Sequence, residues 1–260
     1  MGKKTTNLSD STVADTLPVI VPDQWDERLT HVSSASAEIA ESFRVLRSRI
    51  LHPHNERPVP RTIMVTSALP KEGKSFVSAN LGIALAQGVD QYSLLVDCDL
   101  RLPTLAGLFG VSREAGLVDY LQGDRGIVDL IQKTSVEKLS ILPSGRPPSN
   151  PAELLGSTRM HDLVAELAAR YEDRFIIFDS PPSQVASESI VLSQVVDGVV
   201  LVVRHGTSGS AAVKKVIEEI GLEKIIGIIF NGHRRNILSS ALLYKSDYFY
   251  GGYQREQQGE

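Results

Sequence analysis

The stretch TIMVTSALPKEGKS, residues 62–75, opens as a short β-branched apolar run and closes on Gly73-Lys74-Ser75. A helical pattern, FVSANLGIALA, follows at once over residues 76–86. Strand, loop and helix in this order form the phosphate-loop layout, with Ala68 where the pattern has its first glycine. The chemistry needs backbone N–H groups of the loop and helix start aimed at phosphate oxygens. Ala68, Pro70, Lys71, Glu72, Gly73, Lys74, Ser75 and Phe76 are therefore the candidate nucleotide cradle. Lys74 would neutralise charge between the β- and γ-phosphates, and the Ser75 hydroxyl would face Mg²⁺. A chance Gly-Lys-Ser turn explains the tripeptide but not its placement between an apolar strand and a helix.

Outward from this loop, apolar runs alternate with helical patterns. Strands are predicted at 62–66, 93–97, 138–142, 174–179, 198–203 and 225–230. Helices are predicted at 36–51, 75–87, 157–171, 187–194 and 209–220. Such alternation implies an α/β fold, a mainly parallel sheet with helices on both faces. Residues 61–233 form the predicted phosphate-loop domain, and 36–60 a helix with a proline-bearing linker. Residues 1–35 read as a flexible leader, in which only Val19-Ile20-Val21 and Trp25 invite docking. Residues 234–260 read as a mobile tail.

In a parallel sheet, ligands sit outside the carboxyl ends of the strands. The second strand ends Asp97-Cys98-Asp99-Leu100-Arg101, which brings Asp97, Asp99 and Arg101 beside the loop as candidate catalytic residues with Lys74. Two residues apart in extended chain, the aspartates share a side. One could take a proton while the other orders Mg²⁺. Asp97 is assigned the base, and Ser75, Asp99 and Asp179 the metal. Asp179 closes the apolar run FIIFD, whose carboxylate would order the Mg²⁺ shell. Cys98 reads as a small packed residue. Asn231, at the end of GIIFN, either contacts an adenine base or sits in a strand-end turn.

Composition removes other classes. The 260 residues carry 27 Lys+Arg against 31 Asp+Glu, a formal charge of -4, which argues against a nucleic-acid partner. One cysteine excludes an internal disulfide framework and a thiolate-rich zinc site. No apolar run approaches the roughly 20 residues that span a bilayer, and the first residues carry no secretory signal. A cytosolic protein is the expectation.

Four of the seven tyrosines, Tyr244, Tyr248, Tyr250 and Tyr253, fall in the last 17 residues. Their gaps fit neither a helix nor a strand. A disordered segment of about 20 residues spans about 25 Å, enough to reach a neighbouring subunit. In the first helix Glu41, Arg44 and Arg47 fan away from the apolar stripe of Ile39, Phe43, Leu46 and Ile50. Spacing alone favours a solvated face with ion pairs of a few tenths of a kcal/mol, roughly.

TSALPKEGKSF, LLVDCDLRLPTLAGLFG, LPSGRPPSNPAELLGS, FIIFDSPP and the ending YKSDYFYGGY together resemble the bacterial tyrosine kinases of capsule and exopolysaccharide export. That family is a relative of the MinD/ParA ATPases. The resemblance covers about residues 36–260. It implies ATP and Mg²⁺ as cofactors and tyrosine autophosphorylation in trans, with Tyr244, Tyr248, Tyr250 and Tyr253 as acceptors. It implies a homo-oligomer held through Glu41, Arg44 and Arg47. It also implies the split form, at the inner face of the plasma membrane through a separate membrane-anchored activator, with a tyrosine phosphatase as a further partner. The LPSGRPPSNPAELL block adds no derivable chemistry. MinD/ParA ATPases carry a second lysine early in the loop, where this chain has Leu69. A MinD/ParA-like ATPase switch and a non-catalytic nucleotide-binding scaffold are the alternatives.

Overall fold

The computed structural model describes residues 26, 29, 37–53, 57–170 and 173–232. Seven strands form one sheet: β1 (Thr62–Ser67), β2 (Tyr92–Asp97), β3 (Gln132–Lys133), β4 (Leu139–Leu142), β5 (Arg174–Asp179), β6 (Gly198–Arg204) and β7 (Ile225–Asn231). Their order is β3-β4-β2-β5-β1-β6-β7, parallel throughout except for the β3–β4 pair. The helices are α1 (Ala37–Leu51), α2 (Lys74–Ala86), α3 (Leu105–Phe109), α4 (Leu117–Gln122), α5 (Pro151–Leu155), α6 (Thr158–Arg170), α7 (Glu188–Val195) and α8 (Ser210–Ile220).

All six β1 residues are buried, as a strand covered on both faces requires. Alternate side chains feed two cores. Ile63 and Val65 join Val77 and Leu81 of α2 and Phe43 and Ile50 of α1 on one face. Met64 joins Leu94, Phe178, Leu163 of α6 and Leu192 of α7 on the other. The six predicted strands and five predicted helices are present with ends shifted by at most one residue. The edge strand β3 and the short helices α3, α4 and α5 carry too few residues to show a period, so they escaped the sequence reading.

One expectation needs correction. The stripe of α1 buries Phe43 and Ile50, but Ile39 is 40% exposed. Within the leader, Leu29 is fully buried, and the Asp26 N–H donates to the Leu108 carbonyl at 3.2 Å. Val19–Val21 and Trp25, where docking was expected, lie outside the described residues. The tail 234–260, with its four tyrosines, also lies outside them.

Candidate active site

Strand order decides what meets. β2, β5 and β1 are consecutive in the sheet, so the ends of three chain-distant strands lie side by side. Asp97 and Asp179 are register partners across β2 and β5. The loop after β1 wraps over them and starts α2 at Lys74.

The loop is shaped by residues that do not face phosphate. The Glu72 side chain is fully buried. Its carboxylate accepts from the Leu69 N–H (2.8 Å), the Arg204 N–H (3.1 Å) and the Ser208 hydroxyl. The sequence placed Glu72 in the cradle; only its backbone remains free for that task. Asn231 Nδ2 donates to the Glu72 carbonyl at 2.8 Å, so this amide braces the loop, a use that neither sequence reading foresaw. Gly73 has φ of +94°, and a Cβ there would stand 2.0 Å from Asn231 Nδ2. Glycine is therefore obligatory at 73. Lys71, at φ of 65°, takes the same left-handed region at a cost of about 1 kcal/mol. Ala68 is fully buried, while Pro70 and Lys71 are exposed.

Beneath the loop lies a buried charge cluster. Lys74 Nζ donates to Asp99 Oδ2 at 2.7 Å and lies 3.4 Å from Ser75 Oγ. Burial alone pulls the ammonium's proton affinity down; Asp179 and Asp99 reverse this and leave it raised. The Ser78 hydroxyl sits between the Lys74 carbonyl and Asp179 Oδ1, both at 3.0 Å. Sequence reasoning passed over Ser78, although its place four residues after Lys74 puts it on the same helix face. Asp179 Oδ2 is buried and has no hydrogen-bond partner. Burial pushes the Asp179 carboxyl up, against the opposing pull of Lys74.

Asp97 is fully buried. Its Oδ2 accepts from the Thr104 and Leu105 N–H groups at 3.1 and 3.0 Å, and its Oδ1 from the Asp99 N–H at 3.3 Å. Burial first, and then the neighbouring Asp179 charge, push its carboxyl well up. Strand β2 ends at Asp97, so Asp99 stands in the following loop, where its Oδ1 accepts from the Leu102 N–H at 3.1 Å. Arg101 reaches away from the cluster and donates through Nη2 to Glu188 Oε1 at 2.9 Å. Glu188, nearly fully buried at the start of α7, gave no signal in the sequence. Cys98 is buried among these carboxylates, which with burial push its thiol well up, so it is a packed and unreactive residue.

An orphaned buried carboxylate oxygen beside a serine hydroxyl and a second carboxylate is an oxygen-donor set that suits Mg²⁺. Among the described residues no three His, Cys, Asp or Glu side chains form a ready metal cage. Mg²⁺ at a nucleotide site does not need one, because phosphates and water complete its shell.

The charged face of α1 departs from expectation. Glu41 and Arg44 form an exposed ion pair. Arg47 turns inward and donates to the Ala84 carbonyl of α2 at 2.8 Å. The last turn of α2 leaves carbonyls unpaired, and a guanidinium on the adjoining helix satisfies one. Phe43 meets Phe76 edge-on, with ring centroids 6.1 Å apart. The Phe76 side chain thus faces α1, and only its backbone belongs to the cradle.

A glycine-gated loop at a helix start, with carboxylates on the two neighbouring strand ends, defines a phosphate-loop nucleotide-binding protein. No protein-family profile matches the chain. Among curated proteins it is 35% identical over 197 residues to the tyrosine-protein kinase YwqD of Bacillus subtilis, spanning 75% of this chain and 81% of YwqD. Among solved structures it superposes on the chimerical protein CapA2B2 with a TM-score of 0.73 and 32% identity, over 82% of this chain and 92% of that one. The septum site-determining protein MinD of Pyrococcus horikoshii, complexed with Mg-ADP, follows at a TM-score of 0.55 and 26% identity, over 65% of this chain and 68% of that one. The chain belongs to the bacterial tyrosine kinases of capsule and exopolysaccharide biosynthesis. The MinD/ParA-like switch is the less favoured reading. Among the described residues no helix is long and apolar enough to cross a membrane.

Proposed function

We propose that the chain transfers the γ-phosphoryl group of ATP to tyrosine, with Tyr244, Tyr248, Tyr250 and Tyr253 of a neighbouring copy as acceptors. The observation that carries this reading is the cluster under the loop: Lys74 held 2.7 Å from Asp99, with Asp179 Oδ2 lacking a partner. Lys74 exchanges Asp99 for the β- and γ-phosphates when nucleotide enters. Loop and α2 amides hold the remaining phosphate oxygens. Ser75, Asp99 and Asp179 would hold Mg²⁺, which when bound would supply charge neutralisation at the transferring group. Asp97 takes the tyrosine proton, and its raised proton affinity suits a base. The same carboxylate anchors the loop that carries Asp99. The Asn231 carboxamide oxygen remains available to an adenine base.

The homo-oligomer, the membrane-anchored activator and the opposing tyrosine phosphatase belong to this reading, as does a place at the inner face of the plasma membrane. CapA2B2, a chimerical protein, supports a partnered form. Purified chain incubated with Mg-ATP should carry phosphotyrosine at the four tail positions, mapped by mass spectrometry. ATP consumption with no phosphotyrosine would leave the ATPase reading standing instead.

A further inference from the structure

Beyond the phosphate loop, a groove follows the carboxyl ends of β2 and β4. It consists of adjoining cavities of about 460 and about 300 Å³ that share Pro103, Thr104, Arg113 and Gly145. One wall is the loop after Asp99. The other is formed in part by Ser144-Gly145-Arg146-Pro147, from the block in which the sequence revealed no chemistry.

Both walls are built rather than loose. Asp97 pins the first through the Thr104 and Leu105 N–H groups. In the second, the Pro143 and Ser144 carbonyls accept from the Leu117 and Val118 N–H groups at 2.8 and 2.9 Å. Gly145 has φ of +84° and lies against Gly116 and the Asp119 carboxylate, with no room for a side chain.

Three guanidinium groups border the larger cavity. Arg101 is committed to the buried Glu188. Arg146 pairs with Glu114, but their side chains are 79% and 71% exposed, so the pair is weak and readily exchanged. Arg113 is exposed and makes no hydrogen bond or ion pair among the described residues. Between these cations lies an apolar floor of Leu102, 73% exposed, with Pro103 and Pro147. Ser144 lines the smaller cavity; it is 1% exposed and its hydroxyl has no partner. Two acidic groups also face the groove, Glu114 in the larger cavity and Asp26 in the smaller.

We propose that this groove binds phosphotyrosine, in the phosphorylated tail of a second copy of the chain. The proposal rests on the tail being the substrate. A phosphotyrosine offers a near-dianion with three acceptors to Arg113 and to Arg146, which leaves Glu114 for the stronger partner. Its ring covers Leu102 and the prolines, and a phosphate oxygen or bound peptide group satisfies Ser144. The wall that receives it also holds Asp99, through the Leu102 N–H. A docked product therefore keeps the remaining tyrosines near the transfer site. Tail gaps of two to four residues extend over about 7–14 Å. Retention of product makes phosphorylation of one tail successive rather than scattered.

The test uses full-length chain with Tyr244, Tyr248, Tyr250 and Tyr253 changed to Phe, so that its own tail gives no competing product. Labelled YKSDYFYGGY peptide, with and without phosphate at its second tyrosine, is titrated by fluorescence anisotropy. The phosphopeptide should bind at least tenfold tighter. The Arg113→Ala/Arg146→Ala variant should lose that advantage while keeping Mg-ATP affinity, and Ser144→Ala should weaken binding about threefold. In the chain with native tyrosines, the double Arg variant should yield mostly singly phosphorylated tails. Equal affinity for the two peptides, or an unchanged double variant, overturns the proposal. Competition by inorganic phosphate at the peptide's own concentration also overturns it, because the ring would then be unread. If the phosphopeptide binds as expected but wild type forms no tail phosphotyrosine, the groove stands and the autokinase reading falls.

Discussion

Lys74 and Arg146 are both cations against a carboxylate, at 2.7 and 2.5 Å, yet they belong to different electrostatic worlds. The side chains of Lys74 and Asp99 are 11% and 7% exposed, whereas those of Arg146 and Glu114 are 79% and 71% exposed. Buried charges interact strongly but forfeit hydration, so each depends on its partner. Exposed ones are screened and trade partners at little cost. The phosphate end of the sheet thus holds charge in fixed positions for chemistry. The groove beside it holds charge loosely, as reversible recognition needs. The contrast also sets how hard each region should respond to substitution.

The largest effect belongs to Lys74→Met. Loss of the charge that balances the transferring phosphoryl should reduce transfer by about 10³-fold or more. Met keeps the flexible stem and its packing, so the fold is retained. The buried carboxylates lose their cation, which should lower stability at neutral pH by about 3 kcal/mol. Part of that loss should return at pH 5, where Asp97 and Asp179, whose carboxyls are raised, take protons instead. Labelled-ATP assays and thermal melts at the two pH values check both claims. Undiminished transfer would remove the phosphoryl-transfer assignment.

Asp179→Asn should separate stability from function. The Asp97 and Asp179 carboxyls are both raised, so their neutral forms favour the folded state. That stabilisation is complete below the ordinary carboxylate range and is lost as pH rises through the raised values. At neutral pH the nucleotide-free wild type therefore carries a buried ionic cost that Asp179→Asn relieves. Its melting temperature should rise by about 2–4 °C, and its melting curve should flatten with pH. Mg-ATP at 100 times the wild-type Kd should raise the wild-type melt by about 5–10 °C and leave the variant nearly unmoved. A variant that melts lower than wild type without nucleotide, and still gains from Mg-ATP, would show that Asp179 is structural.

How much of this was legible in the sequence follows the same division. Period and strand-helix alternation marked every long element, because burial on two faces leaves a pattern in the chain itself. Lys74, Ser75, Asp97 and Asp179 could be placed beside the loop because each sits at a strand end or helix start, and Asp99 because it follows Asp97 by two residues. Glu72, Glu188 and Asn231 took roles set by strand order, which a linear reading cannot supply, whereas Ser78 carried a helix-face signal that was passed over. Glu72 meets Arg204 and Ser208 only because β6 lies beside β1. The Arg113–Arg146 groove joins segments more than 30 residues apart, so no window of sequence contains it.

The smallest effect tests the face of α1, where Arg47 and the Glu41–Arg44 pair repeat the buried-against-exposed contrast on one helix. Arg47 is held within its own chain by the Ala84 carbonyl, so Arg47→Ala should act on folding. Loss of one half-buried charge-assisted hydrogen bond costs about 1 kcal/mol, or about 2–4 °C in melting temperature. Glu41 and Arg44 face solvent and bond chiefly to each other, so removing both should leave the melt within about 1 °C. If they serve an oligomer contact, the same double variant should shrink the particle seen by light scattering and slow trans-phosphorylation. Arg47→Ala should keep the particle size at temperatures well below its melt. A double variant that keeps both size and rate would confine α1 to an intrachain role, gripping α2 through Phe43 and Arg47. The opposite result, in which Arg47→Ala alone dissolves the oligomer with no change in melt, would mean that Arg47 leaves Ala84 for a neighbouring chain on assembly.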